Sequence, residues 1–189
     1  MTIQISSLIA LTCMLFTSTA LTQSPNTPAH KFITFLNHYE IDSLQILLTD
    51  DFLLDRTYTY FTNSKSSLLD QYLPHSKNLN GKFKILKTLS DTEPVQFLVE
   101  DRSDYLKYLN IDCPSWKIAI SIRGEKVYRA TIDTTQSYQK YLADLKVKDA
   151  AFTRWLLDKH PDEPQEILYN TKGLLIRRLK EFSKQKHTN

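Results

Sequence analysis

Hydrophobic and polar residues follow two rhythms along this chain. From Thr27 the period is helical: Thr27-Pro28 offers a cap followed by proline in the first turn, and Phe32, Ile33, Leu36 and Tyr39 return at helical spacing. Asp42 is placed to cap a second short helix presenting Leu44, Leu47 and Leu48. Residues Phe52 to Phe61, rich in β-branched and aromatic side chains, predict a strand. A third helix is expected from Asn63 or Ser64, with Leu68, Leu69, Tyr72 and Leu73, and Pro74 should end it.

The period then shortens to two. Phe83, Ile85 and Leu89 alternate with Lys84, Leu86 and Thr88, and beyond a turn at Glu93-Pro94 Val95, Phe97 and Val99 alternate with Gln96, Leu98 and Glu100. A helical excursion over Ser103 to Ile111 ends at Asp112-Cys113-Pro114. Trp116, Ile118, Ile120 and Ile122 alternate again, Gly124 marks a tight turn, and Val127 to Asp133 returns as the partner strand. Neighbouring runs joined by short turns predict an antiparallel sheet rather than βαβ units. After Thr135 helical spacing resumes: Tyr138, Tyr141, Leu142, Leu145, Phe152, Trp155 and Leu156 stripe a long helix that ends near His160-Pro161. Asp162-Glu163-Pro164-Gln165 then caps a last helix carrying Ile167, Leu168, Leu174, Leu175, Leu179 and Phe182. Three short helices around one strand, a meander and two long helices make the fold class α+β.

Composition narrows the function. A chain of 189 residues suits one ordinary domain, and 10 Tyr, 9 Phe and 2 Trp supply bulk for a core or an aromatic-lined cavity. Only 3 glycines are present and neither GxGxxG nor GxxxxGK[ST] occurs, which excludes a Gly-rich phosphate loop. The net charge of +3 is uneven: residues 172–189 carry +5, leaving residues 21–171 at −2. A near-neutral body argues against nucleic-acid binding, and the basic stretch around Arg177, Arg178 and Lys180 reads as a solvated face. No HExxH, paired CxxC or close His pair occurs, so no metal and no cofactor is expected.

The first twenty residues stand apart. Met1 to Ala20 contains no Asp, Glu, Lys or Arg, its apolar run from Ile5 to Phe16 is too short to span a bilayer comfortably, and Ser18-Thr19-Ala20 puts small residues at a cleavage site. Residues 1–20 therefore read as a signal peptide and 21–27 as a polar leader, which makes the mature protein secreted or periplasmic. The absence of Lys or Arg before the apolar run keeps a retained N-terminal anchor as the alternative. Cys13 lacks the lipoprotein pattern, because Leu11 is next to last before it. The mature chain then has one cysteine, Cys113, which cannot form an internal disulfide and is expected to be a small buried hydrophobe.

The order of elements, with Thr49-Asp50-Asp51-Phe52-Leu53-Leu54-Asp55 and Arg123-Gly124-Glu125-Lys126-Val127, resembles the nuclear transport factor 2-like superfamily. That superfamily includes ketosteroid isomerase and SnoaL-like polyketide cyclases. The resemblance covers residues 28–133 and implies two N-terminal helices, an Asp-Asp-apolar strand and a curved antiparallel sheet around a conical pocket. It divides the mature chain into a domain over 28–134 and a C-terminal helical extension over 135–189, packed on it. In ketosteroid isomerases the proton-shuttling Asp stands five residues after the second Asp of the pair. Here that position is Arg56, and neighbouring Asp55 faces the other side of the strand, which counts against isomerase chemistry.

Other polar residues have plain readings. His75 follows Pro74 in a loop and is expected to be exposed. Glu100, Asp101, Arg102 and Asp104 read as a solvated turn with local ion pairs. Arg56, Tyr58 and Tyr60 share a face of the first strand and, with Trp116, are the candidates for a ligand pocket. Two function classes follow. One is an exported, non-catalytic module that binds a small apolar or aromatic ligand or is simply structural. The other is a cyclase, dehydratase or hydrolase using Asp55 or His75 with a Tyr donor. The first is preferred because a fold does not grant chemistry. A second copy of the chain is the candidate protein partner, and no stable membrane insertion is expected after cleavage.

Overall fold

The computed structural model describes residues 27–164, 168, 171 and 173–185. The residues read as a signal peptide with its cleavage site, the leader before Thr27, and Gln165 and Ile167 lie outside the described residues. Helix α1 (Pro28–His38) opens as its sequence dictates: the Thr27 side chain accepts from the His30 amide, Pro28 occupies the first turn, and Phe32, Ile33 and Leu36 are buried. Helix α2 (Ile41–Leu47) starts two residues earlier than expected, with Glu40 at the cap, so Asp42 sits in the first turn, where its charge still complements the helix dipole.

Strand β1 (Leu48–Arg56) is shifted toward the N-terminus relative to the expected span 52–61. It buries Leu48, Phe52 and Leu54, and an irregularity in pairing between Leu48 and Leu53 disguises the alternation at Asp50-Asp51. The chain turns after Arg56, and Thr62–Ser64 forms the short β2. The next helix continues through Pro74. It runs as α3 (Lys65–Ser67), a π turn (Leu68–Tyr72) and α4 (Leu73–Asn78), with Pro74 in the first turn of α4. Proline brings no amide to bond, and the wider π turn just before it absorbs the irregularity.

The remaining strands are β3 (Lys82–Ser90), β4 (Val95–Arg102), β5 (Ser115–Arg123) and β6 (Lys126–Thr134), with α5 (Asp104–Leu109) between β4 and β5. Gly124, at φ 64°, makes the two-residue β5–β6 hairpin turn possible. The six strands form one sheet in the order β2-β1-β6-β5-β4-β3. Every pairing is antiparallel except β1 with β6, so the sheet is mixed where a purely antiparallel one was expected. Register shifts within β1–β6, β3–β4 and β5–β6 raise local twist and give the sheet its curvature. They also break the pattern in β3, where Leu86 and Leu89 are exposed.

Helix α1 packs on the inner face of the sheet with Phe32, Phe52, Phe97, Ile118 and Ile120 at the centre of the core. Asn37 clamps this helix to the sheet edge: its amide donates to the Phe83 carbonyl and its oxygen accepts from the Phe83 amide, both at 2.7 Å. Two otherwise unmet backbone groups of edge strand β3 are thereby satisfied.

The expected single core is two clusters. Helices α6 (Tyr138–Lys159) and α7 (Leu174–Gln185) gather Phe152, Leu156, Leu174, Leu175, Leu179 and Phe182 around Leu106 and Leu109 of α5. The stripe on α6 is divided between them: Tyr138 packs on the first cluster, Tyr141 on both, and Phe152, Leu156 and Trp155 on the second. Leu142, which the pattern placed on the buried face, is exposed. A 22-residue helix reaching past the sheet cannot present one continuous face to one neighbour. No described helix is long and apolar enough to cross a membrane.

Candidate functional site

Alternation carries three polar side chains to the inner end of the sheet. On β1, Phe52 and Leu54 point inward and Arg56 continues their row, with Tyr58 following in the turn. On β4, Val95, Phe97 and Val99 are buried and Asp101 is next in the same row. These residues, with Tyr72 of the π turn, Phe83, Trp116, Ile132 and Tyr141, enclose a cavity of about 190 Å³. Register explains the meeting: Asp101 pairs with Phe83 across β3–β4, and Arg56 with Ile132 across β1–β6.

The aromatic wall is ordered. Tyr58 stacks on Trp116 with ring centres 5.0 Å apart and 16° between planes, and Tyr141 meets the edge of Trp116 at 5.9 Å. The Arg56 guanidinium lies 5.3 Å from the Tyr72 ring centre and donates through Nη1 to Asn63 Oδ1 at 2.8 Å. Asn63, itself buried, donates to Ser67 Oγ at 2.8 Å, so a short chain of bonds fixes the guanidinium from behind.

Asp101 is the chemical centre of the cavity. Burial pushes its carboxyl up to about 6, against a hydrogen bond from Trp116 and the nearby Arg56 charge, which both favour ionisation. Burial, with Asp101 adding, pushes Tyr72 and Tyr141 up to about 12, and burial also raises Tyr58. Near neutral pH the three phenols are therefore O–H donors beside a carboxyl that exchanges its proton close to pH 6 and one permanent positive charge. That set can bind polar groups and can move a proton.

Of the residues singled out in the sequence, Arg56, Tyr58 and Trp116 come together in this cavity. Tyr60 does not: β1 ends at Arg56, and Tyr60 stands fully exposed in the turn. Asp55 lies on the outer face, accepting from Thr62 Oγ1 at 2.9 Å and from Arg129 Nη2 at 2.6 Å. His75 is exposed on α4 rather than in a loop, beside Leu168, Thr171 and Leu175. Asp101 was the residue missed. Its charged neighbours Glu100 and Arg102, which pair with each other, suggested a solvated turn, yet the inward run Val95-Phe97-Val99 already pointed to position 101. Cys113 is exposed rather than buried, at an open groove with Lys82, Glu100, Arg102 and Lys107. Partial desolvation and the Glu100 charge raise its thiol, which keeps it protonated and a weak nucleophile. Among the described residues no group of three or more His, Cys, Asp or Glu is placed to hold a metal ion.

No family model and no curated protein sequence matches the chain. The similar solved structures include NTF2-like and ketosteroid isomerase-like folds. An NTF2-like protein of unknown function from Cytophaga hutchinsonii shares 11% identity over 56% of this chain and 84% of that one, with a TM-score of 0.42. A hypothetical protein with a ketosteroid isomerase-like fold from Catenulispora acidiphila, in complex with trimethylamine, shares 11% identity over 65% of this chain and 93% of that one, with a TM-score of 0.49. A de novo designed NTF2 fold protein shares 19% identity over 62% of this chain and 88% of that one, with a TM-score of 0.41. The likeness is one of fold alone.

Proposed function

We propose that the chain is an exported small-molecule-binding module whose ligand occupies the cavity around Arg56, Asp101 and the stacked Tyr58–Trp116 pair. One observation carries the reading: a guanidinium and a desolvated carboxyl face the same small space in a wall otherwise made of aromatic side chains and Ile132. Each is already held by a protein partner, Arg56 by Asn63 and Asp101 by Trp116, and a polar ligand in the space between them would meet groups fixed in place to receive it. Export rests on the uncharged apolar run of Met1 to Ala20, with cleavage near Ala20.

An enzyme is the second reading, favoured by Asp101 alone. A carboxyl that titrates near pH 6 beside phenol donors has the acid–base profile that proton transfer needs. In that reading Asp101 carries the proton, taking the role that Asp55 and His75 do not fill.

Native mass spectrometry of the protein recovered from the extracytoplasmic fraction tests both. The expected species starts at or near Leu21 and releases a small molecule on denaturation, and Arg56→Gln loses that molecule. Intact Met1 in a membrane pellet overturns export. A chain that carries no small molecule and gains no thermal stability from any compound of a small-molecule library overturns binding. A released compound that the wild type converts on incubation and Asp101→Asn does not moves the assignment to the enzyme.

A further inference from the structure

The cavity is polar in an asymmetric way. Arg56 has five N–H groups, and Asn63 takes one of them from behind while Tyr72 supports the guanidinium plane. The side chain is therefore held in place rather than free to reach outward, and such a fixed planar fork matches a planar oxyanion. Beyond it, Tyr58 and Trp116 stack, and Phe83, Ile132 and Tyr141 close an apolar slot. A space of 190 Å³ holds roughly six waters at about 30 Å³ each, or a compact organic molecule of about nine non-hydrogen atoms.

Taking the cavity as a ligand site, we infer that it selects a small planar carboxylate, whose oxygens pair with the Arg56 guanidinium and whose flat apolar body lies in the slot beside Tyr58 and Trp116. Asn63 is the positioning residue for that guanidinium, acting through Arg56 and not on the ligand.

Asp101 makes the selection depend on pH. The groups that face it are Arg56 from β1, Tyr58 from the following turn, Tyr72 from the π turn, Lys82 and Phe83 from β3, Cys113 and Trp116 from the segment entering β5, and Tyr141 from α6. The phenols are neutral across the working range. With Asp101 protonated, the Arg56 charge is unopposed within the cavity and an anion is favoured. With Asp101 ionised, its charge offsets Arg56 and repels the anion.

Calorimetry with benzoate and its uncharged isostere benzamide, on the mature chain at about pH 5 and about pH 8, tests the inference. Benzoate is expected to bind at about pH 5 at least about tenfold tighter than benzamide and to weaken up to about tenfold by about pH 8, while benzamide stays unchanged. Arg56→Gln is expected to lose most of the benzoate affinity while benzamide affinity moves less than about threefold, and Asp101→Asn to bind benzoate without pH dependence. Asn63→Ala is expected to weaken benzoate alone. Equal binding of the two probes by the wild type overturns carboxylate selection while leaving the cavity a ligand site. Binding of neither up to about 10 mM overturns the cavity reading and the selection together.

Discussion

Asn63 Oδ1 accepts a hydrogen bond from Arg56 Nη1 at 2.8 Å, seven residues away in sequence and across the β1–β2 pairing. Asn63 is only 2% exposed, and it is the one fully buried polar side chain among the described residues. Replacing it with leucine keeps most of the volume but leaves Arg56 and Ser67 without their partner. Asn63→Leu is expected to destabilise the fold by about 1–3 kcal/mol, read as a lower midpoint in thermal melts. A midpoint equal to the wild type would mean that Arg56 is not held by this bond.

Stability should fall with rising pH on account of Asp101. Its folded pKa of about 6 lies above the unfolded value of 3.8, so between these values the folded state binds more protons and loses stability as they leave. The full effect is on the order of 3 kcal/mol. Asp101→Asn is expected to raise the melting temperature at pH 7 and to lose that advantage near pH 4, because the wild-type carboxyl is then protonated and uncharged. A constant difference across the range would place the carboxyl in water.

The opposite slope belongs to Glu163. Arg178 donates to Glu163 Oε2 at 2.8 Å and to both Glu181 oxygens at 2.8 and 2.9 Å, while His160 Nε2 lies 3.3 Å from Glu181. The Arg178 contact holds the Glu163 carboxyl below the usual range, so its contribution is present above that range and is lost as pH falls through the lowered value. Arg178→Met is expected to lower the melting point at pH 7 and to differ less from the wild type in acid. Because these groups are only partly buried and still reach solvent, added salt should shrink the difference as well.

The two clusters assign different weights to two aromatic neighbours on α6. Phe152 is 2% exposed, whereas Trp155 is half-buried and bonds through its indole to Gln185 Oε1 at 2.7 Å. Phe152→Ala is expected to cost about 3–5 kcal/mol, and Trp155→Ala less. Hydrogen exchange should show the loss first in α5, α6 and α7 and only weakly in β5 and β6. Equal loosening of the sheet would argue for one cooperative core.

Much of the fold was legible because local patterns act locally. The Thr27-Pro28 start, the row Trp116-Ile118-Ile120, the Gly124 turn and the extent of α6 follow from caps, period and glycine geometry, which depend on neighbours in sequence. Strand β1 was misplaced because a pairing irregularity interrupts its alternation, and only the β6 partner reveals it. Continuation through Pro74 likewise depends on a π turn that no residue type announces. The parallel β1–β6 pairing, the division of the α6 stripe and the exposure of Cys113 were decided by what packs against each segment. At the site, Arg56, Tyr58 and Trp116 were identifiable as residue types on plausible faces. Asp101 was not, since a carboxylate flanked by Glu100 and Arg102 looks solvated in sequence and acquires its raised pKa only where β1, β4, the π turn and α6 enclose it. Local chemistry writes the period of each element. Burial, which sets the character of a titratable group, is a property of several elements at once.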